Sequence, residues 1–159
     1  MQMPEPMPPR RPADAPGGRP APRQPVGGYW GERLAWVAGL VLAISAFTDW
    51  YSGTPASGLT LSVTGWHTGA LGKLVFFIGL AALILEALRE AGIELPATVP
   101  ESLVLISLGS LAVIFVLIRF ISIPDEFFDT AGRGIGIFIS LAASVLLIGA
   151  GLLRAAEEL

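Results

Sequence analysis

Four apolar stretches of about twenty residues, none broken by an internal proline, restrict what this chain can become. They run over about 29–50, 70–88, 102–120 and 134–153. At 1.5 Å rise per residue, a helix of that length covers a hydrocarbon core of about 30 Å. In hydrocarbon the backbone must satisfy its own hydrogen bonds, so helices are the economical form of such runs. A soluble alternative needs a polar outer face, and the runs Leu74 to Leu85 and Leu103 to Ile118 offer none. The reading is an all-α, four-helix transmembrane bundle.

Composition agrees. Of 159 residues, 53% are hydrophobic and 14% charged, where a soluble domain carries about a quarter charged residues. That argues against an ordinary soluble enzyme. A net charge of −3 leaves no basic field for nucleic acid. The absence of cysteine removes disulfides, thiolate metal sites and cysteine nucleophiles. Nine arginines against one lysine, in a chain rich in Ala, Gly and Pro, read as the product of a high-GC bacterial genome.

The chain divides at Tyr29. Residues 1–28 hold nine of the thirteen prolines and no aromatic residue, which predicts a disordered, partly polyproline II tail. The tail lacks the hydrophobic run of a signal peptide. Its Arg19-Pro20-Ala21-Pro22-Arg23-Gln24-Pro25 could fit a polyproline-binding groove, although so proline-rich a linker produces such matches by composition alone. Residues 29–159 form the membrane domain.

Orientation follows from lysine and arginine near the span ends. One side carries Arg10, Arg11, Arg19, Arg23, Arg33, Arg89 and Arg154; the other carries Lys73, Arg119 and Arg133. Both termini are therefore expected in the cytoplasm of a multi-pass cell-membrane protein.

The first outer segment is the most distinctive. Asp49-Trp50-Tyr51-Ser52-Gly53 ends the first helix and Gly65-Trp66-His67-Thr68-Gly69 leads into the second. Between them Leu59 to Thr64 alternates apolar and polar, the period of a half-exposed strand, after turn residues Thr54 to Gly58. A short outer hairpin is expected. Trp50, Tyr51 and Trp66 suit an interfacial aromatic belt, and with His67 they are the candidate surface for a protein or lipid partner. His67, the one histidine, could join a metal or proton site only with Asp49 or with Asp125, Glu126 and Asp129 of the second outer loop. That loop reads more simply as a solvated interfacial turn with Phe127 and Phe128 dipping into the membrane surface. No cofactor or metal is expected.

Charges near bilayer depth need partners. Asp49 is expected to pair with Arg119 or Lys73 across the bundle, and Glu86 with Arg89 one turn along its own helix. A transport role for Glu86 is a second reading. Small residues recur every four positions at Ala35, Gly39 and Ala43 of helix one and at Gly132, Gly136, Ser140 and Ser144 of helix four. Such stripes let helix backbones approach closely. They predict a contact between helices one and four, or one between copies of the chain or with another membrane protein.

With these residues in view, the chain resembles a group of small four-helix membrane proteins of high-GC Gram-positive bacteria. The resemblance covers residues 29 to about 90 and rests on Asp49-Trp50-Tyr51-Ser52, Gly65-Trp66-His67-Thr68-Gly69 and Leu71-Gly72-Lys73. It implies the four-helix fold and no assigned activity. The architecture is also loosely similar to claudins, but the paired cysteines of that family are missing, so no pore or junction function carries over.

No phosphate loop, nucleophile elbow, zinc-binding helix motif or haem-type histidine pair occurs. Ser45 and Thr48 have no base beside them in sequence. The expected function is a non-enzymatic membrane scaffold or accessory subunit, in contact with the lipid bilayer and with a membrane partner or a second copy. The alternative is a transporter or channel subunit acting as an oligomer; a membrane enzyme comes third.

Overall fold

The computed structural model describes residues 26–54, 58–93, 96, 99–122 and 131–158. Residues 1–25 of the expected disordered tail, with the Arg19–Pro25 match, and the expected interfacial turn with Asp125, Glu126 and Asp129 lie outside them, whereas Val26 to Gly28, expected in the tail, are helical.

Helix α1 (Val26–Ser45) begins before the compositional boundary at Tyr29 and stops short of Trp50. The stop has a local cause. Phe47 and Thr48 amides tighten onto the carbonyls of Ile44 and Ser45. The Ser45 carbonyl then accepts both the Thr48 hydroxyl at 2.7 Å and the Trp50 indole N–H at 2.9 Å. Orphan carbonyls at the helix end are thus satisfied by side chains, and the chain turns into strand. Strand β1 (Asp49–Gly53) pairs antiparallel with β2 (Leu61–Thr64) on one side and with β3 (Ala131–Arg133) on the other. The expected hairpin is the β1–β2 half of a three-stranded sheet ordered β2-β1-β3. The fold is therefore mostly helical rather than all-α.

A 3₁₀ turn (Gly65–His67) leads from β2 into α2 (Ala70–Glu90). Gly69, at φ +108°, makes the corner that a side chain would strain. At its far end α2 closes with Gly92 at φ +76°, where the Gly92 and Ile93 amides reach back to the carbonyls of Arg89 and Leu88. This is the paired-bond stop of a Schellman motif. Helix α3 (Glu101–Ile121) starts after Pro100, which cannot continue a helix backward, and α4 (Ile135–Glu158) follows β3 directly.

Among the described residues three helices, α2, α3 and α4, are long and apolar enough to cross a membrane. The fourth expected span, α1, is not among them. Its first turns hold two adjacent glycines, Glu32 and Arg33, and its apolar run is cut at Ser45 where the capping begins.

The packing is inverted relative to a soluble protein. The interior is lined largely by small residues such as Ala35, Ala38, Ala82, Ala112, Ser140 and Ala150, whereas Phe77, Ile84, Leu103, Ile114, Phe138 and Leu152 point outward. Without a hydrophobic drive between spans, close backbone approach replaces large buried side chains. A Cβ on Gly79 of α2 would lie 2.6 Å from the Ala43 nitrogen of α1. One on Gly109 of α3 would lie 2.9 Å from the Ile148 nitrogen of α4, and one on Gly151 of α4 would lie 3.0 Å from the Ile106 nitrogen of α3.

These approaches reassign the small-residue stripes. Gly39 and Ala43 of α1 meet Gly79 and Ala82 of α2 rather than α4. Gly132 belongs to β3, since α4 starts only at Ile135. The expected contact of helices one and four is present, at Ser45 with Ser140 and at Gly31 with Ala150 and Leu153; Gly136 meets Thr48 in the turn after α1, and the Ser144 carbonyl faces Gly109 of α3. Ala35 is fully buried.

Candidate functional site

The polar groups inside the bundle gather at two levels. Toward the sheet, where α1 ends and α4 begins, the Ser140 hydroxyl of α4 donates to the Ser45 hydroxyl of α1 at 2.7 Å, with Ser45 also held on the Leu42 carbonyl. A denser cluster lies where α2 and α4 end and α3 begins. The Arg154 Nη2 of α4 donates to Glu86 Oε2 of α2 at 2.5 Å. Neither side chain reaches solvent to any extent: Glu86 is 0% exposed and Arg154 4%. Arg154 Nη1 also lies 3.8 Å from Glu101 of α3, which in turn faces Arg89 Nε of α2 at 3.4 Å. Ser102 donates to Glu158 at 2.7 Å and closes α3 onto α4. The Trp36 indole of α1 donates to Glu90 at 3.0 Å beside this network.

Charges of alternating sign therefore link three helices: Glu86, Arg154, Glu101, Arg89. Glu86 Oε1, Arg154 Nε and Nη1 and Arg89 Nη1 have no hydrogen-bond partner among the described residues. Burying such groups is costly unless each offsets the other, so the pair holds only while both members are present. We call this end of the bundle the clamp end.

At the opposite end the sheet covers the helices. Trp50 and Tyr51 of β1 are buried, Trp50 against Gly65, where a Cβ would lie 2.5 Å from the indole ring. The Tyr51 hydroxyl donates to the Arg119 carbonyl of α3 at 2.5 Å. Burial raises the Tyr51 phenol above its ordinary value of 10.0, against the opposing pull of the Arg119 and Arg133 charges. Arg133 stacks over Phe120 and donates through Nε to the Phe120 carbonyl.

These positions correct several sequence expectations. Among the described residues Asp49, Lys73 and Arg119 form no ion pair; Asp49 is exposed on β1 opposite Thr64, while Lys73 lies over the Trp66 ring at 5.7 Å. The bulge between Asp49 and Tyr51 turns the Asp49 side chain outward. Glu86 meets Arg154 rather than Arg89, because i,i+3 on one helix cannot match a partner that packing presses against it from α4. Trp50 and Tyr51 are core residues and cannot serve as a partner surface. Trp66 is half-buried and His67 exposed, with His67 Nδ1 at 2.9 Å from the Thr64 hydroxyl. No group of three or more metal-ligating side chains occurs among the described residues.

Arg154 and Glu101 were missed as site residues. A signal existed for Arg154. The buried face of α4 runs Gly136, Ser140, Ser144, Leu147, Gly151, and the same helical period lands next on Arg154. Glu101 had no such signal, since it opens its helix.

The geometry defines a helical membrane protein with an internal ionic clamp and a sheet-covered end. The chain matches no protein-family model and no curated protein.

Proposed function

We propose that this chain is a multi-pass membrane scaffold or accessory subunit whose four helices stand together in the bilayer. The observation that carries the reading is the outer coat of large apolar side chains around an interior where alanine, glycine, serine and paired charges line the helix crossings. Helix α1 shares this pattern: Val37, Leu40, Val41 and Ile44 are exposed while Ala35, Ala38 and Leu42 are buried. It therefore enters the bilayer in company with α2 and α4, leaving Tyr29, Trp30 and Arg33 at the interface. The seven arginines that the sequence assigns to the side of the tail, the 89–100 loop and the C-terminus, against Lys73, Arg119 and Arg133 on the other, support cytoplasmic termini. The resemblance to small four-helix proteins of high-GC Gram-positive bacteria belongs to this reading. The clamp supports a structural role, because its charges bind neighbouring helices to one another.

A second reading, a transporter or channel subunit acting as an oligomer, draws on Glu86 Oε1, buried and unpartnered among the described residues. Native mass spectrometry of the full chain extracted from its own membrane separates the two. A defined heteromeric complex is expected for the scaffold; a symmetric homo-oligomer lacking any second protein would overturn it in favour of the transporter subunit. Reporter fusions at both termini test the orientation.

A further inference from the structure

Around the start of α2, at the sheet end, four aromatic rings gather at the bundle surface. Phe47 stacks on Trp66 at 5.3 Å, Phe76 meets both edge-on at 5.3 and 5.4 Å, and Phe77 adds a fourth ring at 5.3 Å from Phe76. Phe47 is 52% and Phe77 53% exposed, so the cluster is open on its outer side. The core does not require these rings: the buried cluster inside is complete with Trp50, Tyr51, Val75 and their neighbours. Over the Trp66 face stands the ammonium of Lys73, exposed and without an ion-pair partner among the described residues. A cation one turn inside an apolar helix reaches toward the headgroup layer, where the prevailing anion is a phosphodiester. The ammonium and the rings are adjacent, so one molecule with a phosphate and an acyl chain would satisfy both.

We propose that Lys73, Trp66, Phe47, Phe76 and Phe77 form a seat for an anionic phospholipid of the leaflet at the sheet end. Its phosphodiester meets the Lys73 ammonium, and an acyl chain lies along the exposed edges of Phe47 and Phe77. Trp66 does two things here: its face holds the ammonium in place, and its stacking on Phe47 fixes the floor under the chain. Lysine acts as a point charge on phosphate, so arginine can replace it in part, whereas glutamine cannot. The inference rests on the membrane reading above.

The test reconstitutes the full chain into phosphatidylcholine bilayers containing a minor fraction of phosphatidylglycerol, then counts retained lipids by native mass spectrometry. The intact protein should retain phosphatidylglycerol over phosphatidylcholine. Lys73→Gln should lower that preference about fivefold, the effect of one basic residue near an anionic surface. Lys73→Arg should keep most of it, and Phe77→Ala, at an exposed position, should weaken retention of both lipids. An unchanged preference in Lys73→Gln overturns the seat. So does an equal loss in Arg33→Gln at the far end, since net charge alone would then set the preference. Failure of the intact protein to enter bilayers overturns the membrane reading and the seat together, whereas entry without lipid preference overturns the seat alone.

Discussion

Replacing Arg154 by methionine should be strongly destabilising. The substitution keeps an unbranched apolar stem of similar reach and removes only the charge. It leaves Glu86, 0% exposed and otherwise unpaired among the described residues, as an isolated carboxylate between α2 and α4. Removing one member of a buried ion pair costs about 3–5 kcal/mol, while replacing both by apolar residues is often neutral. Glu101 cannot rescue Glu86, because it carries the same sign, and Arg89 is already drawn to Glu101 at 3.4 Å. We therefore expect Arg154→Met and Glu86→Met each to cost about 3 kcal/mol, with the double variant within about 1 kcal/mol of the parent. The resulting coupling, at least about 5 kcal/mol, exceeds the roughly 0.6 kcal/mol typical of a neutral interhelical hydrogen bond in membranes. The measurement is reversible unfolding of the four proteins in mixed lipid–detergent micelles, followed by helicity and by tryptophan emission. Single variants that each cost under about 1 kcal/mol, and that simply add in the double variant, would refute the clamp.

Three further outcomes follow from other contacts. Ser140→Ala should lose about 0.6–1.7 kcal/mol in the same unfolding assay by breaking the Ser140–Ser45 bond, and Ser45→Ala should add little to it. Gly79→Ala should cost about 1–3 kcal/mol because its Cβ meets the Ala43 backbone, whereas Gly149→Ala, with nothing within 4 Å, should gain up to about 1 kcal/mol in thermal stability. Because the folded Tyr51 phenol titrates above its ordinary 10.0, its contribution is intact below that value and is lost as pH rises through the raised one. Tyr51→Phe should flatten this alkaline loss in melting curves taken between neutral and strongly alkaline pH, at the cost of the bond to the Arg119 carbonyl.

The helices were legible because spans announce themselves by length and uniform apolarity: α2 and α3 lie within two residues of their predicted bounds, and α4 starts as expected but runs on to Glu158. What escaped the sequence depends on angles between elements. The end of α1 was placed at Trp50 because hydropathy continues through Ala46 and Phe47, and only the folded geometry brings the Trp50 indole back to the Ser45 carbonyl. The third strand was invisible, since Ala131-Gly132-Arg133 has no strand pattern of its own and pairs only because β1 offers an open edge. Small-residue stripes signal that a helix will be approached closely but not by which neighbour, and so Gly39 was matched to the wrong helix. Likewise a charge at a helix end counts toward orientation whether it faces lipid or a partner. Arg154 was counted only toward orientation, and it turns inward onto Glu86.

The central strand has its own consequence for how the chain is made. Tyr51 pairs with Val63 close by and with Arg133, beyond α2 and α3. When α1, β1, β2 and α2 have left the ribosome, one edge of β1 is still bare, and it stays so until α3 has been inserted and the chain has returned to the same side. Non-local pairing of this kind closes late. The residue pair that completes the sheet also sets the start of α4, since Gly134 donates to the Trp50 carbonyl at 2.7 Å one residue before the helix begins. The last span is thus threaded from a point secured by the first, and a nascent chain halted after α3 would carry an unfilled strand edge for quality-control factors to find.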